Sequence, residues 1–330
     1  MNKYYYDKLN AQEQRAYQEI YTSLMLCLPA AKFSKLEYYN CDFGKVFRFL
    51  NFDHPELYFV NFVHFHASQN NVEINVQFSY LFPKDEVNRV SAIISQKSKS
   101  ILSKLSSQTM SIFEKEIYIY DYLTQNIIYD SASISCDVNS LDSLYAHSIT
   151  GVFLNGKAVC DGISKAFLFL CRKAGIPTII IAGEAHLQTS TGPHAWNLVN
   201  IDGSFYHVDV TGDLKDSSNS PIPLYRYLNI SDVQMGRDHS WDGINAPLCN
   251  SEKYNYYSAK GLLCKSAKDV EEAIRRSLSV GENRFSIKYN ANRNDVNSIL
   301  ASVVSSYNGR YRQYGVAEIP GYGIYIISLQ

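Results

Sequence analysis

The sequence predicts an α+β fold in which an amphipathic helix, carrying a cysteine at its N-terminal end, packs on an antiparallel sheet. Three observations carry this expectation. After Cys160 the apolar residues Ile163, Ala166, Phe167, Leu170 and Cys171 recur at the spacing of one helical face. Residues 194–199 and 205–210 are strand-like and flank an Asp202-Gly203 pair, a strong hairpin signal. Between helix and hairpin, residues 178–182 form a short, apolar, β-branched run that reads as a buried strand.

The helix stops at Gly175 and Pro177, which predicts a span of 161–173 with Cys160 at its start. There the thiol meets unpaired backbone N–H groups and the positive pole of the helix dipole, and both favour thiolate. Asp161 suits a helix N-terminus for the same electrostatic reason, and Gly162 lets a substrate approach the backbone. In the hairpin, a two-residue loop pairs Trp196 with Asp209 and leaves His194 diagonal to it. A four-residue loop sets His194 directly opposite Asp209. Either even register puts both on one face, because the side-chain period is two. Cysteine, histidine and aspartate then make a nucleophile, a base and a group that orients the base.

Three ordered blocks carry a family resemblance: Gly156-Lys157-Ala158-Val159-Cys160-Asp161-Gly162, Pro193-His194-Ala195-Trp196-Asn197-Leu198, and Tyr206-His207-Val208-Asp209-Val210-Thr211. Together they resemble the catalytic blocks of the transglutaminase-like superfamily, in its bacterial form, over roughly residues 112–250. The likeness includes Tyr129-Asp130 upstream and Tyr225-Arg226-Tyr227-Leu228 with Asp238-His239-Ser240-Trp241 downstream. It implies a papain-like fold and a triad of Cys160, His194 and Asp209. Beside the triad, Trp196, Asn197 and Gly162 are expected to bind substrate, although packing of the hairpin explains Trp196 equally well. Gly212 departs from the pattern, since many bacterial members have tryptophan there, and this predicts a different wall to the substrate cleft.

Flanking modules extend the core. Residues 1–108 read as an N-terminal α/β region with a helix over 11–28, strands over 57–66 and 72–82 joined at Asn70-Asn71, and a helix opened by Pro83. His64 and His66 share a strand face there and read as structural. The polar stretch 106–109 marks a boundary, after which 109–258 form the catalytic core. That core begins with a helix over 111–127 and a Ser- and Asp-rich loop over 130–143, read as solvated surface. Residues 259–330 show an α-β-α-β-β order that predicts a small α/β module used for binding or packing.

The 330 residues carry a formal net charge of −1, which offers no field for nucleic acid or anionic membrane. The N-terminus lacks the apolar segment of a signal peptide and no run approaches the ~20 residues of a membrane span, so the expectation is a cytoplasmic protein. Seven scattered cysteines without a Cys-x-x-Cys pair predict neither a disulfide framework nor structural zinc. His207 shares a strand face with Asp209, and with His194 would make a His-His-Asp metal site, but that leaves Cys160 unexplained. With no acidic calcium loop either, neither metal nor cofactor is expected. The reading is a cysteine-dependent amide hydrolase, peptidase-like, acting on a peptide or protein through a thioester. Alternatives are acyl transfer to an amine and a non-catalytic peptide- or glycan-binding module on the same fold.

Overall fold

The computed structural model describes residues 4–62, 65–70, 72–106, 109–137, 140–187, 190–215, 220, 222–242 and 246–330. The cysteine helix spans Cys160–Lys173, and the five apolar residues of its predicted face are all buried. It ends as the sequence implies. Gly175 takes a φ of 79°, its N–H bonds to the Arg172 carbonyl at 3.1 Å, and the Ile176 N–H bonds to the Cys171 carbonyl at 2.8 Å. This paired closure needs a left-handed residue, which glycine supplies without steric cost.

The helix packs on a five-stranded sheet ordered His239–Trp241, Thr178–Leu187, Ser190–Ile201, Ser204–Val208 and Leu228–Ile230, every pair antiparallel. Leu168 of the helix meets Ile180 and Ala195. Polar bonds fix the docking, because Asn197 Nδ2 donates to the carbonyls of Ser164 at 3.1 Å and Ile179 at 3.2 Å. The opposite face gathers Ile179, Ile181, Trp196, Leu198, Ile230 and Met235 in a second cluster. Ile201 pairs with Ser204, so the hairpin loop is the two-residue Asp202-Gly203, with φ of 52° and 82°. Of the two even registers the shorter is realised, and the primed turn matches the twist of the strands.

The strand expected over 178–182 continues to Leu187. Gly183 sits inside it because a Cβ there would lie 2.2 Å from the Ser240 carbonyl oxygen and 2.8 Å from the Trp196 ring. A strand glycine here marks a close backbone approach, not an end. Upstream, the Ile112–Asn126 helix is opened by a Ser111–Glu114 capping box. It leads into Ile128–Tyr129, which pairs in parallel with Lys157–Ala158 just ahead of Cys160. The expected 130–143 loop holds two short helices, Ser131–Ile134 and the start of Leu141–Ala146.

The N-terminal region builds a three-stranded sheet of Ala30–Ser34, Glu73–Gln77 and His66–Gln69. The strand expected over 57–66 is not formed as such. Pro55–Leu57 is a 3₁₀ turn, Tyr58, Phe59 and Val60 are buried, and pairing with the second expected strand is reduced to a single antiparallel bridge between Val60 and Tyr80. Short apolar runs do not distinguish these outcomes by period. His64, Asn71 and residues 107–108 of the expected boundary lie outside the described residues. The helix Phe43–Asp53, which sequence reading did not anticipate, ends where Arg172 of the cysteine helix donates to the Asp53 carbonyl. At the other end of the chain, the elements from Ala267–Ser279 through Arg293–Ser305 to the last strand follow the expected order, and Leu263–Cys264, a strand not expected, makes the sheet four-stranded. The turn between its last two strands carries Tyr322 to the central sheet, where its hydroxyl lies 2.7 Å from that of Tyr227. Among the described residues no helix is long and apolar enough to cross a membrane.

Candidate active site

Cys160 is the first residue of its helix, behind the extended Val159. No side chain caps this end, so the first N–H groups keep their polarity for whatever approaches the thiol. Asp161 next to it is bonded to His147 Nδ1 at 2.7 Å and lies 3.4 Å from Lys165 Nζ. Burial pushes the Asp161 carboxyl up, but Lys165 and His147 outweigh it and hold the group below its ordinary value.

His194 enters from the hairpin. Its Nε2 lies 2.9 Å from Asp209 Oδ2, the distance of a charge-assisted hydrogen bond. With Nε2 spent on Asp209, Nδ1 is the nitrogen left for Cys160. Burial alone would lower the His194 pKa. The Asp209 charge and hydrogen bond, with a further bond to Cys160, reverse this and raise it to about 10. Asp209 is itself buried, which opposes its ionisation, yet His194 and then His239 hold it well below the carboxylate range. Its second oxygen accepts the Thr211 N–H at 2.9 Å.

A cavity of about 460 Å³ opens beside these groups, walled by Tyr129, Ile134, Arg226, Tyr227 and Tyr322, with His194, Asp209 and His239 at its base. Gly212 lines it too, and the Tyr227 ring stands 2.6 Å from where a Cβ would be. A tryptophan at 212 has no room while Tyr227 occupies that wall. A smaller cavity of about 210 Å³ beside Asp161 and Lys165 includes neither His194 nor Asp209.

The three residues expected to bind substrate are all buried. Trp196 is fully buried, stacked on His194 at 5.9 Å between centroids, and donates Nε1–H to His207 Nδ1 at 2.9 Å. Asn197 is buried between sheet and helix. Gly162 is buried as well, and the Ala146 carbonyl oxygen lies 2.1 Å from its would-be Cβ, so the close approach that demands glycine is made by the chain itself. His207 does not join His194 and Asp209, because its Nε2 bonds to Asp232 at 2.8 Å.

Among the described residues, two groups have donor atoms near enough to share a metal ion, those of each group within 4.8 Å of one another: His194, Asp209 and His239, and His207, Asp232 and Cys249. In the second, both nitrogens of His207 are engaged by Trp196 and Asp232. In the first, the ligand atoms are those that join His194 to Asp209.

Residues 99–210 match the family described as the Transglutaminase-like superfamily. Over those residues the chain carries a transglutaminase-like core. Among solved structures it is similar to a crystal structure of a TGase, at 15% identity and a TM-score of 0.34, over 62% of this chain and 52% of that one. It is also similar to an arylamine N-acetyltransferase from Bacillus cereus with a Cys-His-Glu triad, at 12% identity and a TM-score of 0.26, over 35% of this chain and 47% of that one. The chain spans about half the length of each. No curated protein matches it.

Around the transglutaminase-like core, sequence reading assigned no role to His239, Tyr227 or Tyr322. The Asp238-His239 pair is a signal that a second imidazole has a carboxylate partner. Nothing local in the sequence connects Tyr322 with a site more than 80 residues upstream.

Proposed function

We propose that the chain is a cysteine-dependent amide hydrolase that works through a thioester on Cys160, with His194 as base and Asp209 orienting it. The observation that carries this reading is the buried 2.9 Å contact between His194 and Asp209, beside a cysteine at an uncapped helix N-terminus. A histidine held in one tautomer by a carboxylate presents its other nitrogen to the nucleophile.

In this mechanism His194 takes the thiol proton and the thiolate attacks the amide carbonyl. The oxyanion faces the backbone N–H of Cys160, which has no acceptor within its own helix turn. The C–N bond then breaks, and the amine leaves with the proton from His194. Water, deprotonated by His194, cleaves the thioester to release the acid and restore the thiol. A primary amine in place of water gives acyl transfer by the same steps. The cavity beside His194 is the space the acyl donor enters.

Alkylation by iodoacetamide, followed at each cysteine by peptide mass spectrometry against pH, tests the reading. Rapid labelling of Cys160 at neutral pH, lost in His194→Ala, supports it; slow labelling that ignores the substitution overturns it. Incubation of a glutamine-containing protein with a labelled amine then decides the acceptor, and stable incorporation replaces hydrolysis by transfer.

A further inference from the structure

We propose that His239 is a positioning residue for this reaction, wedged between Asp209 and Asp238 and locked there by Tyr227 and by Tyr322 of the C-terminal module. The proposal rests on the roles given above to His194 and Asp209.

His239 begins the edge strand of the central sheet, opposite Ala185, and its ring is buried. Its Nδ1 bonds to Asp238 Oδ1 at 2.7 Å. Its Nε2 stands 3.6 Å from Asp209 Oδ2, the same oxygen that receives His194. That distance is within ion-pair reach but beyond a hydrogen bond, and this buried nitrogen has no hydrogen-bond partner among the described residues. The ring is held edge-on by Trp196 at 5.2 Å and Tyr227 at 5.5 Å between centroids. Asp238 is fixed in turn, because its Oδ2 accepts the Tyr227 hydroxyl at 2.6 Å and the Tyr322 hydroxyl at 3.2 Å.

The chain of contacts therefore runs from Tyr322 and Tyr227 through Asp238 and His239 to Asp209 and His194. Its far end comes from a turn in the last 15 residues of the sequence. Asp209 has one oxygen tied to the Thr211 N–H and the other facing two imidazoles, so it cannot rotate toward either without loss at the other. A fixed carboxylate is what the base requires when it becomes imidazolium. His239 acts through Asp209 and needs no contact with the reacting atoms.

The charged and titratable groups facing His239 are Asp209, His194 and His207 from the hairpin, Asp238 from its own edge, Tyr227 beside the sheet and Tyr322 from the C-terminal turn. Burial lowers the His239 pKa, but Asp209 and Asp238 outweigh it and raise the group above its ordinary value. A cation there favours the Asp209 carboxylate and disfavours further protonation at His194. Its loss moves the alkaline limit of fast Cys160 alkylation, set by His194, upward.

The test measures the pH window of that alkylation in the wild type, His194→Ala, His239→Gln and His239→Leu, with urea unfolding to confirm folding. His239→Gln keeps an N–H donor without the charge, so it retains most of the maximal rate but shifts the alkaline limit up by about one pH unit. His239→Leu removes donor and charge, shifting that limit and lowering the maximal rate about tenfold. If His194→Ala abolishes the window while both His239 variants keep the wild-type alkaline limit, the positioning role is overturned and the hydrolase reading stands. If His194→Ala leaves the window intact, both fall. Should His239→Leu not fold, the shift in His239→Gln decides alone.

Discussion

Two histidine–aspartate pairs lie on the sheet on either side of Trp196, and the fold shifts their imidazole pKa values in opposite directions despite nearly equal contact distances. His194 meets Asp209 at 2.9 Å and His207 meets Asp232 at 2.8 Å. Yet the first imidazole is raised to about 10 and the second lowered to about 4. For both rings burial is the largest influence and opposes the charge. What differs is the partners. Asp209 is only 2% exposed, so its field is strong, whereas Asp232 is 31% exposed and screened. Cys160 adds an acceptor beside His194, while the Trp196 N–H occupies His207 Nδ1 and requires a ring with a free lone pair there. A close carboxylate does not by itself charge a histidine; the remaining nitrogen's partner and the carboxylate's own burial decide.

The largest expected effect separates the pairs by chemistry. Asp209→Asn removes the charge opposite His194 and slows acylation on the order of 10²–10⁴-fold in single-turnover assays. Disruption of the second pair by Asp232→Asn leaves the rate within about threefold of the wild type. Equal losses from both substitutions would end the distinction between a working pair and a structural one.

Stability responds next. His207→Leu leaves the Trp196 N–H buried without its acceptor, a cost of about 1–3 kcal/mol by urea unfolding, with Cys160 alkylation unchanged. A neutral result would mean that the ring only fills space.

The pairs should also bend stability against pH in opposite directions. His194, raised in the fold, contributes stability that is complete below the unfolded value near ~6.5 and is lost as pH rises toward about 10. His207, lowered in the fold, binds fewer protons than the unfolded chain, so its share falls as pH drops from ~6.5 toward about 4. Urea midpoints for His194→Gln should therefore converge on the wild type at alkaline pH. Those for His207→Gln should lose less than the wild type on acidification, and parallel curves would refute the opposed signs.

The smallest effect concerns the cavity wall. Tyr322→Phe removes one of two hydroxyls on Asp238 and should cost about 1 kcal/mol of stability or less, with the Cys160 rate altered by no more than a few fold. A change as large as that of His239→Leu would move the clamp from Asp238 to the tyrosine itself.

Much of this arrangement was legible before any coordinates. The cysteine helix, its glycine stop and the Asp202-Gly203 hairpin follow from local period and turn chemistry, which act over a few residues. Facing His194 toward Asp209 needed only an even loop length. Less legible were the roles of Trp196, Asn197 and Gly162. Their side chains or lack of one suit a cleft as well as a core, and only their packing against His207, Ser164 and Ala146 distinguishes the two. The apolar run at 57–60 misled for a related reason, since burial rather than strand pairing selected its residues.

By itself the sequence determined the helix with Cys160 at its tip, the hairpin that turns His194 and Asp209 to one face, and the order of elements from Ala267 onward. These depend on backbone propensity and on side-chain periods of two and 3.6, which neighbours in the chain set. Only the tertiary structure decided which histidine is shifted toward the charged form, what stands behind Asp209, and that Tyr322 reaches Asp238 at all. Those outcomes depend on desolvation and on charges brought together from distant segments, and neither quantity exists until the chain has folded.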